Sequence, residues 1–267
     1  MTELSDTTET PKPEIVKLVG PNSEATISSS GSRIQELRLG GIKILTSVIR
    51  GDGKEASSHP CFPNFGPAVE NRYGKFPQHG LARDRNANLQ IQQNPPLAVS
   101  TINLNNEFDS SFEGFGLTLS QFITLGLDTE KRPFFTLTTN SQNQGAKPYP
   151  VNFGEHFYFD TPLGWDGLKI NGKHVSTIVR NNGFVFFEDR NTIEIPGKPD
   201  LILEQIGLEG AVLWAFKDPQ TNKFDSHYIC IEPVEGSPFD SRKRFGSIKS
   251  LIAPHSERKI KLTLVPA

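Results

Sequence analysis

Three residues carry the chemistry this chain can offer: His79, His156 and Glu232. His79 sits in Phe76-Pro77-Gln78-His79-Gly80-Leu81-Ala82-Arg83, downstream of an aromatic and proline-rich run, Pro60-Cys61-Phe62-Pro63-Asn64-Phe65-Gly66. A His between a polar Gln and a flexible Gly, close to an Arg, presents polar groups on a turn. His156 lies in Phe153-Gly154-Glu155-His156-Phe157-Tyr158-Phe159, and Glu232 in Tyr228-Ile229-Cys230-Ile231-Glu232-Pro233. Two imidazoles and a carboxylate suit acid–base chemistry that needs neither a metal nor an organic cofactor. Taken singly, each has a plainer explanation. A His in an aromatic run is more often packed than catalytic, and a Glu at a strand end is more often solvated. The three together, in these contexts, point to a site.

The elements that must position them are strands. The chain has 23 glycines and 20 prolines, which leave little room for long helices. Between them lie short β-rich runs at 14–19, 24–28, 34–39, 42–48, 99–104, 117–125, 134–139, 151–159, 184–187, 211–216, 227–231 and 259–265. Many short strands with frequent turns predict an all-β sandwich or barrel-like fold. In the last run Ile260, Leu262 and Leu264 face one way and Lys259, Lys261 and Thr263 the other, the period of a half-buried strand. The same alternation in 151–159 puts Val151, Phe153, Phe157 and Phe159 on one face, and Asn152, His156 and Tyr158 on the other. In 228–232 it groups Ile229 with Ile231, against Tyr228, Cys230 and Glu232. Pro233 is expected to end regular pairing and leave Glu232 at a strand end. The Asn/Gln-rich stretches 86–94 and 139–144 read as loops or solvent-facing strand edges.

Composition narrows the class. The 267 residues suffice for one large all-β domain or two ordinary ones. Residues 1–12 are polar and read as a flexible tail, with one sandwich domain over 13–267. Lys and Arg number 28 and Asp and Glu 30, a formal net charge of -2, so neither nucleic acid nor an anionic membrane is the expected partner. No stretch of about 20 apolar residues predicts a membrane span. No secretory signal is visible, and the expected location is cytoplasmic. The two cysteines, Cys61 and Cys230, are expected as reduced, buried thiols. His59-Pro60-Cys61 is too lone a pair for a zinc site, and no other spacing suggests a metal. The expected assembly is a monomer or weak homodimer.

The three segments, in their order and spacing, resemble the aldose 1-epimerase (galactose mutarotase-like) family, nearest to its hexose-phosphate 1-epimerase-like branch. That branch carries an FP-x-FG stretch, here Phe62 to Gly66. It follows with PQHG-x-AR, here Pro77 to Arg83, then a His before aromatics, here His156-Phe157-Tyr158-Phe159. A C-terminal Ile231-Glu232-Pro233 completes the set. The resemblance implies a large antiparallel β-supersandwich and interconversion of the α and β anomers of an aldose, a small-molecule sugar. It implies Glu232 as the base on the anomeric hydroxyl, His156 as the acid on the ring oxygen, and His79 as the residue that orients the sugar. Gln78 and Arg83 would bind substrate hydroxyls or an attached phosphate. A non-catalytic carbohydrate-binding or sugar-sensing protein on the same fold is the alternative. The chain departs from the branch twice. Where relatives often place Arg-Gly-Gly it reads Glu55-Ala56-Ser57-Ser58-His59, with Arg50-Gly51 a little earlier. Where many have a Trp it has Ala87. Arg72, Lys75, Arg83 and Arg85 still offer a positive patch around His79.

Overall fold

In the computed structural model of this chain, residues 12–71, 74–105, 116–180, 184–236 and 251–267 are described. The expected tail, 1–12, falls almost wholly outside them. The architecture is all-β, a large antiparallel supersandwich of two nine-stranded sheets. Among the described residues the one α-helix is the short Val175–Arg180, with a 3-10 turn at Ala82–Asp84.

The first sheet runs Ile15–Gly20, Ser23–Ser28, Arg33–Leu39, Ile42–Leu45, Gly154–Asp160, Tyr228–Val234, Gly210–Trp214 and Phe184–Phe186. The short strand His59–Cys61 pairs with the N-terminal half of Gly154–Asp160. The second sheet begins at Asn88–Gln93 and continues through Pro96–Asn105, Gly116–Leu127, Pro133–Asn143, Ser256–Pro266 and Leu201–Ile206. Period-two alternation sends one face of each sheet inward. There Phe135 of the second sheet meets Phe157 of the first edge-to-face, with ring centroids 6.5 Å apart. Phe157 is fully buried, and Phe157→Ala is expected to cost about 3–5 kcal/mol. The ring that stabilises the core thereby fixes the backbone from which His156 projects the other way.

One polar chain crosses this apolar layer. The Ser32 hydroxyl donates to Gln121 Oε1 at 2.6 Å, and Gln121 Nε2 donates to Glu155 Oε2 at 3.0 Å. Glu155 shares the parity of Phe153 and Phe157, so its carboxyl points into the core.

Three expectations need correction. Pro233 does not end pairing. Tyr228–Val234 continues past it, with Pro233 opposite Ala211 and Val234 opposite both Gly154 and Gly210. A proline has strand-compatible φ and a carbonyl, so the strand passes through it with one donor fewer. Residues 139–144 are neither a loop nor an edge. All but the last belong to Pro133–Asn143, an inner strand between Gly116–Leu127 and Ser256–Pro266. Two of their amides are held by neighbouring chain: Asn140 Nδ2 donates to Glu257 Oε2 at 3.1 Å, and Asn143 Nδ2 to the Ile252 carbonyl at 2.9 Å. The run 151–159 is a strand only from Gly154. Before it, the Asn152 amide donates to the Pro63 carbonyl (2.8 Å), and the Phe65 amide to the Asn152 carbonyl (2.9 Å). The stretch 86–94, by contrast, does supply an edge strand, Asn88–Gln93.

Candidate active site

The outer face of the first sheet carries the site. The pairs Gly154–Val234 and Phe157–Ile231 set His156 opposite Glu232, and His59 pairs with His156 on the other side. Glu232 in turn lies opposite Val212. One row across four strands therefore reads His59, His156, Glu232, Val212. The next row holds Tyr158, Cys230 and Trp214.

His79 reaches this floor from a turn above it. The His79 amide donates to the Gly66 carbonyl at 2.9 Å, and the Leu81 and Ala82 amides donate to the Phe62 carbonyl at 2.8 and 3.0 Å. The two loop motifs are thus tied to each other by main chain. Gly80 has φ +75, and a Cβ there would lie 2.3 Å from the Phe62 oxygen, so no other residue lets the turn dock so closely. His79 itself sits in the left-handed region at φ 62, an uncommon state for a residue with a side chain, held by those bonds. At Gly154, a Cβ would come 2.4 Å from the Phe65 ring, and that ring packs edge-on to His79 at 5.5 Å.

The result is a cluster. His156 Nε2 lies 3.0 Å from Glu232 Oε1. Ligand atoms of His79, His156 and Glu232 all fall within 4.8 Å of one another, and all three residues are buried. Cys61 Sγ is 3.3 Å from His79 Nδ1, and the Gln78 amide nitrogen is 3.3 Å from His79 Nε2. With that nitrogen as donor, Nε2 accepts and the imidazole proton sits on Nδ1, toward the sulfur. Burial pushes the His79 pKa down to about 3, helped by His156 and Arg83. His79 is therefore neutral near pH 7, a hydrogen-bonding ring and not a cation. Burial also holds the Cys61 and Cys230 thiols well above their usual range, and both are free.

The cluster opens into a cleft of about 770 Å³. Gln78 and Arg83, both expected at the site, line it. Of the other basic residues the sequence offers, Arg50 also lines it, Lys75 and Arg85 do not, and Arg72 lies outside the described residues. Each cleft arginine has an acidic neighbour. The Arg50 guanidinium bonds Asp52, and Arg83 Nε lies 3.5 Å from Asp84 Oδ2. The far wall is aromatic: Arg50 lies over Trp214 and Phe216, at 5.7 and 5.6 Å from the ring centroids.

His59, Trp214 and Phe216 join the cleft without having been expected from the sequence. A signal for the last two was present. In 211–216 the core face is Ala211, Leu213 and Ala215, which leaves Val212, Trp214 and Phe216 on the opposite face. Large apolar groups on an outward face mark a binding surface. His59 gave no such signal, because its place beside His156 comes from cross-strand pairing and not from spacing along the chain. Metal chemistry also needs restating, because folding brings together donors that spacing along the chain could not show. His79, His156 and Glu232 form a two-imidazole, one-carboxylate set able to hold a divalent ion, and no other such set occurs among the described residues. Among the described residues, no helix is long and apolar enough to cross a membrane.

The sequence model of the aldose 1-epimerase family matches residues 14–228, and the chain belongs to that family. No curated protein sequence matches it. Its fold is similar to several solved structures. The Slr1438 protein from Synechocystis sp. PCC 6803 superposes with a TM-score of 0.69 at 15% identity, covering 99% of each chain. A candidate aldose 1-epimerase from Escherichia coli K12 gives 0.70 at 18% identity, over 95% of this chain and 99% of that one. A galactose mutarotase-like protein from Lactobacillus casei ATCC 334 gives 0.68 at 15% identity, over 95% of this chain and 100% of that one.

Proposed function

We propose that this chain is an aldose 1-epimerase, a mutarotase that opens and recloses the ring of an aldohexose by general acid–base catalysis. The observation that carries this reading is the buried His156–Glu232 contact at 3.0 Å on the floor of a sugar-sized cleft. Ring opening takes a proton from the anomeric hydroxyl and puts one on the ring oxygen. Glu232 accepts the first and His156, as imidazolium, delivers the second. The C1–O5 bond breaks and C1 becomes an aldehyde. Rotation about C1–C2 presents its other face. On closure O5 attacks C1, His156 takes its proton back from O5, and Glu232 returns one to O1. Both groups regain their starting states, so no net proton, electron or co-reactant is consumed. Each proton transfer typically contributes about 10²–10⁴-fold.

The two imidazoles divide the labour by electrostatics. His79 is kept neutral by burial, so it orients the sugar by hydrogen bonds and leaves the acid role to His156. Gln78 and Arg83 line the cleft and bind sugar hydroxyls. Trp214 and Phe216 offer an apolar wall for a C–H face of the ring. Charge at the cleft favours a neutral sugar. Asp52 beside Arg50 and Asp84 beside Arg83 offset the field that a phosphate would need.

Polarimetry on fresh α-D-glucose, α-D-galactose and their 6-phosphates tests this. Expected is an accelerated approach to the anomeric equilibrium that Glu232→Gln abolishes. Sugar binding without any acceleration by the wild type would establish a binding protein instead.

A further inference from the structure

His156 lacks the support an acid–base histidine usually has. In most such sites the second ring nitrogen is held by a carbonyl or carboxylate, which fixes the plane and the tautomer. Here His156 Nδ1 is buried and has no hydrogen-bond partner among the described residues. What holds the ring is aromatic packing. His59 stacks on it with centroids 5.0 Å apart and planes 11° off parallel, and Tyr158 stacks at 4.9 Å and 30°. His79 and Trp214 meet it edge-on at 5.3 and 6.0 Å.

His59 is itself clamped. It is the cross-strand partner of His156, and its Nδ1–H donates to the Ser57 carbonyl at 2.9 Å. The bond fixes both its plane and its tautomer, because a carbonyl can only accept. Burial, with His156 and Arg33 nearby, holds its pKa well below the usual histidine range.

We propose that His59 is a positioning residue for the acid–base pair: anchored by Ser57, its ring sets the plane of His156 and so keeps Nε2 aimed at Glu232. The role rests on the mutarotase reading of the site. It explains why a buried histidine occupies the floor of the cleft with no partner for Nε2 among the described residues. Its ring face is what is used, and its second nitrogen is left idle.

Two variants separate ring from volume. His59→Phe keeps an aromatic plane, and His59→Leu fills a similar space without one. Both leave the Ser57 carbonyl without its donor, so that cost cancels between them. Expected on α-D-glucose is a kcat within about threefold of wild type for His59→Phe and about tenfold lower for His59→Leu, with KM changed less than twofold in both. Stacked aromatic pairs of this kind support a difference of that size. Crystal structures of the ligand-free variants give a readout that needs no turnover. The 3.0 Å His156–Glu232 contact should persist in His59→Phe and be lost in His59→Leu. Equal kcat values for the two variants, or the same contact in both structures, would overturn the proposal. A wild type inactive on every sugar would sink the mutarotase reading, while the two structures would still decide whether His59 positions His156.

Discussion

Glu155→Gln should stabilise the protein, and increasingly so as pH rises. The Glu155 carboxyl lies in the core between the sheets, accepts one bond from Gln121, and among the described residues leaves Oε1 without a partner. Burial raises its pKa from 4.5 to about 8. The folded state therefore holds the proton through a range where the unfolded chain has released it. A group whose folded pKa is raised contributes stability fully below about pH 4.5, loses it steadily as pH rises, and has lost all of it above about pH 8. The 3.5-unit gap, at about 1.36 kcal/mol per unit, amounts to at most ~5 kcal/mol. That is a large share of the roughly 5–15 kcal/mol typical of a folded domain. Glutamine has the shape of the protonated acid and does not titrate. Urea unfolding at pH 5, 6.5 and 8 should show the variant gaining on wild type by about 1.4 kcal/mol per unit. Taking the difference removes His59 and His79. Their lowered pKa values act the other way, with stability present above pH 6.5 and lost as pH falls. Because Glu155 faces away from the cleft, mutarotation should stay within about twofold. Parallel stability curves for variant and wild type over pH 5–8 would refute the account of a carboxyl kept protonated by the core.

Other outcomes follow from the site. Glu232→Gln and His156→Asn should each lower kcat at least about 10²-fold, and the double variant should lose less than the product, since the two act as a unit. Stopped-flow polarimetry decides this, and wild-type rates in either single variant would remove these roles. Dialysis against EDTA should leave activity unchanged. Added Zn²⁺ should inhibit in competition with sugar, because His79, His156 and Glu232 can ligate it only by giving up their work. Native Cys61 and Cys230 should resist a thiol reagent at pH 8, with two thiols appearing only in denaturant. Glucose and glucose 6-phosphate should have kcat/KM values within about tenfold. A thousandfold preference for the phosphate, ~4 kcal/mol, would show that Arg50 and Arg83 act as a clamp despite Asp52 and Asp84.

What the sequence made legible was what depends on side-chain period and local turn chemistry. Alternation placed His156 and Tyr158 away from the phenylalanine face. The Gln78-His79-Gly80 turn was recognisable because only glycine tolerates the approach of Gly80 to the Phe62 carbonyl. What stayed hidden depends on which strand lies beside which. His59 looks idle along the chain and becomes a neighbour of His156 only because His59–Cys61 pairs with Gly154–Asp160, nearly a hundred residues on. Residues 139–144 looked like an edge because their amides are polar. Their partners, Glu257 and the Ile252 carbonyl, come from the far end of the chain. Pro233 misled for a related reason, since a rule about one residue's missing donor cannot weigh two neighbouring strands that grip the backbone around it. Glu155 shows how far the period alone could have gone. It shares the parity of Phe153 and Phe157, so alternation already sends its carboxyl into the core. A carboxyl there must either find a cation or keep its proton. Among the described residues no cation shares its hydrogen bonds, only Gln121, and the elevated pKa follows from burial. The same strand thus holds two neighbouring ionisable residues in opposite settings. His156 faces a cleft where, in the proposed mechanism, a proton moves, and Glu155 faces a core that holds its proton in place.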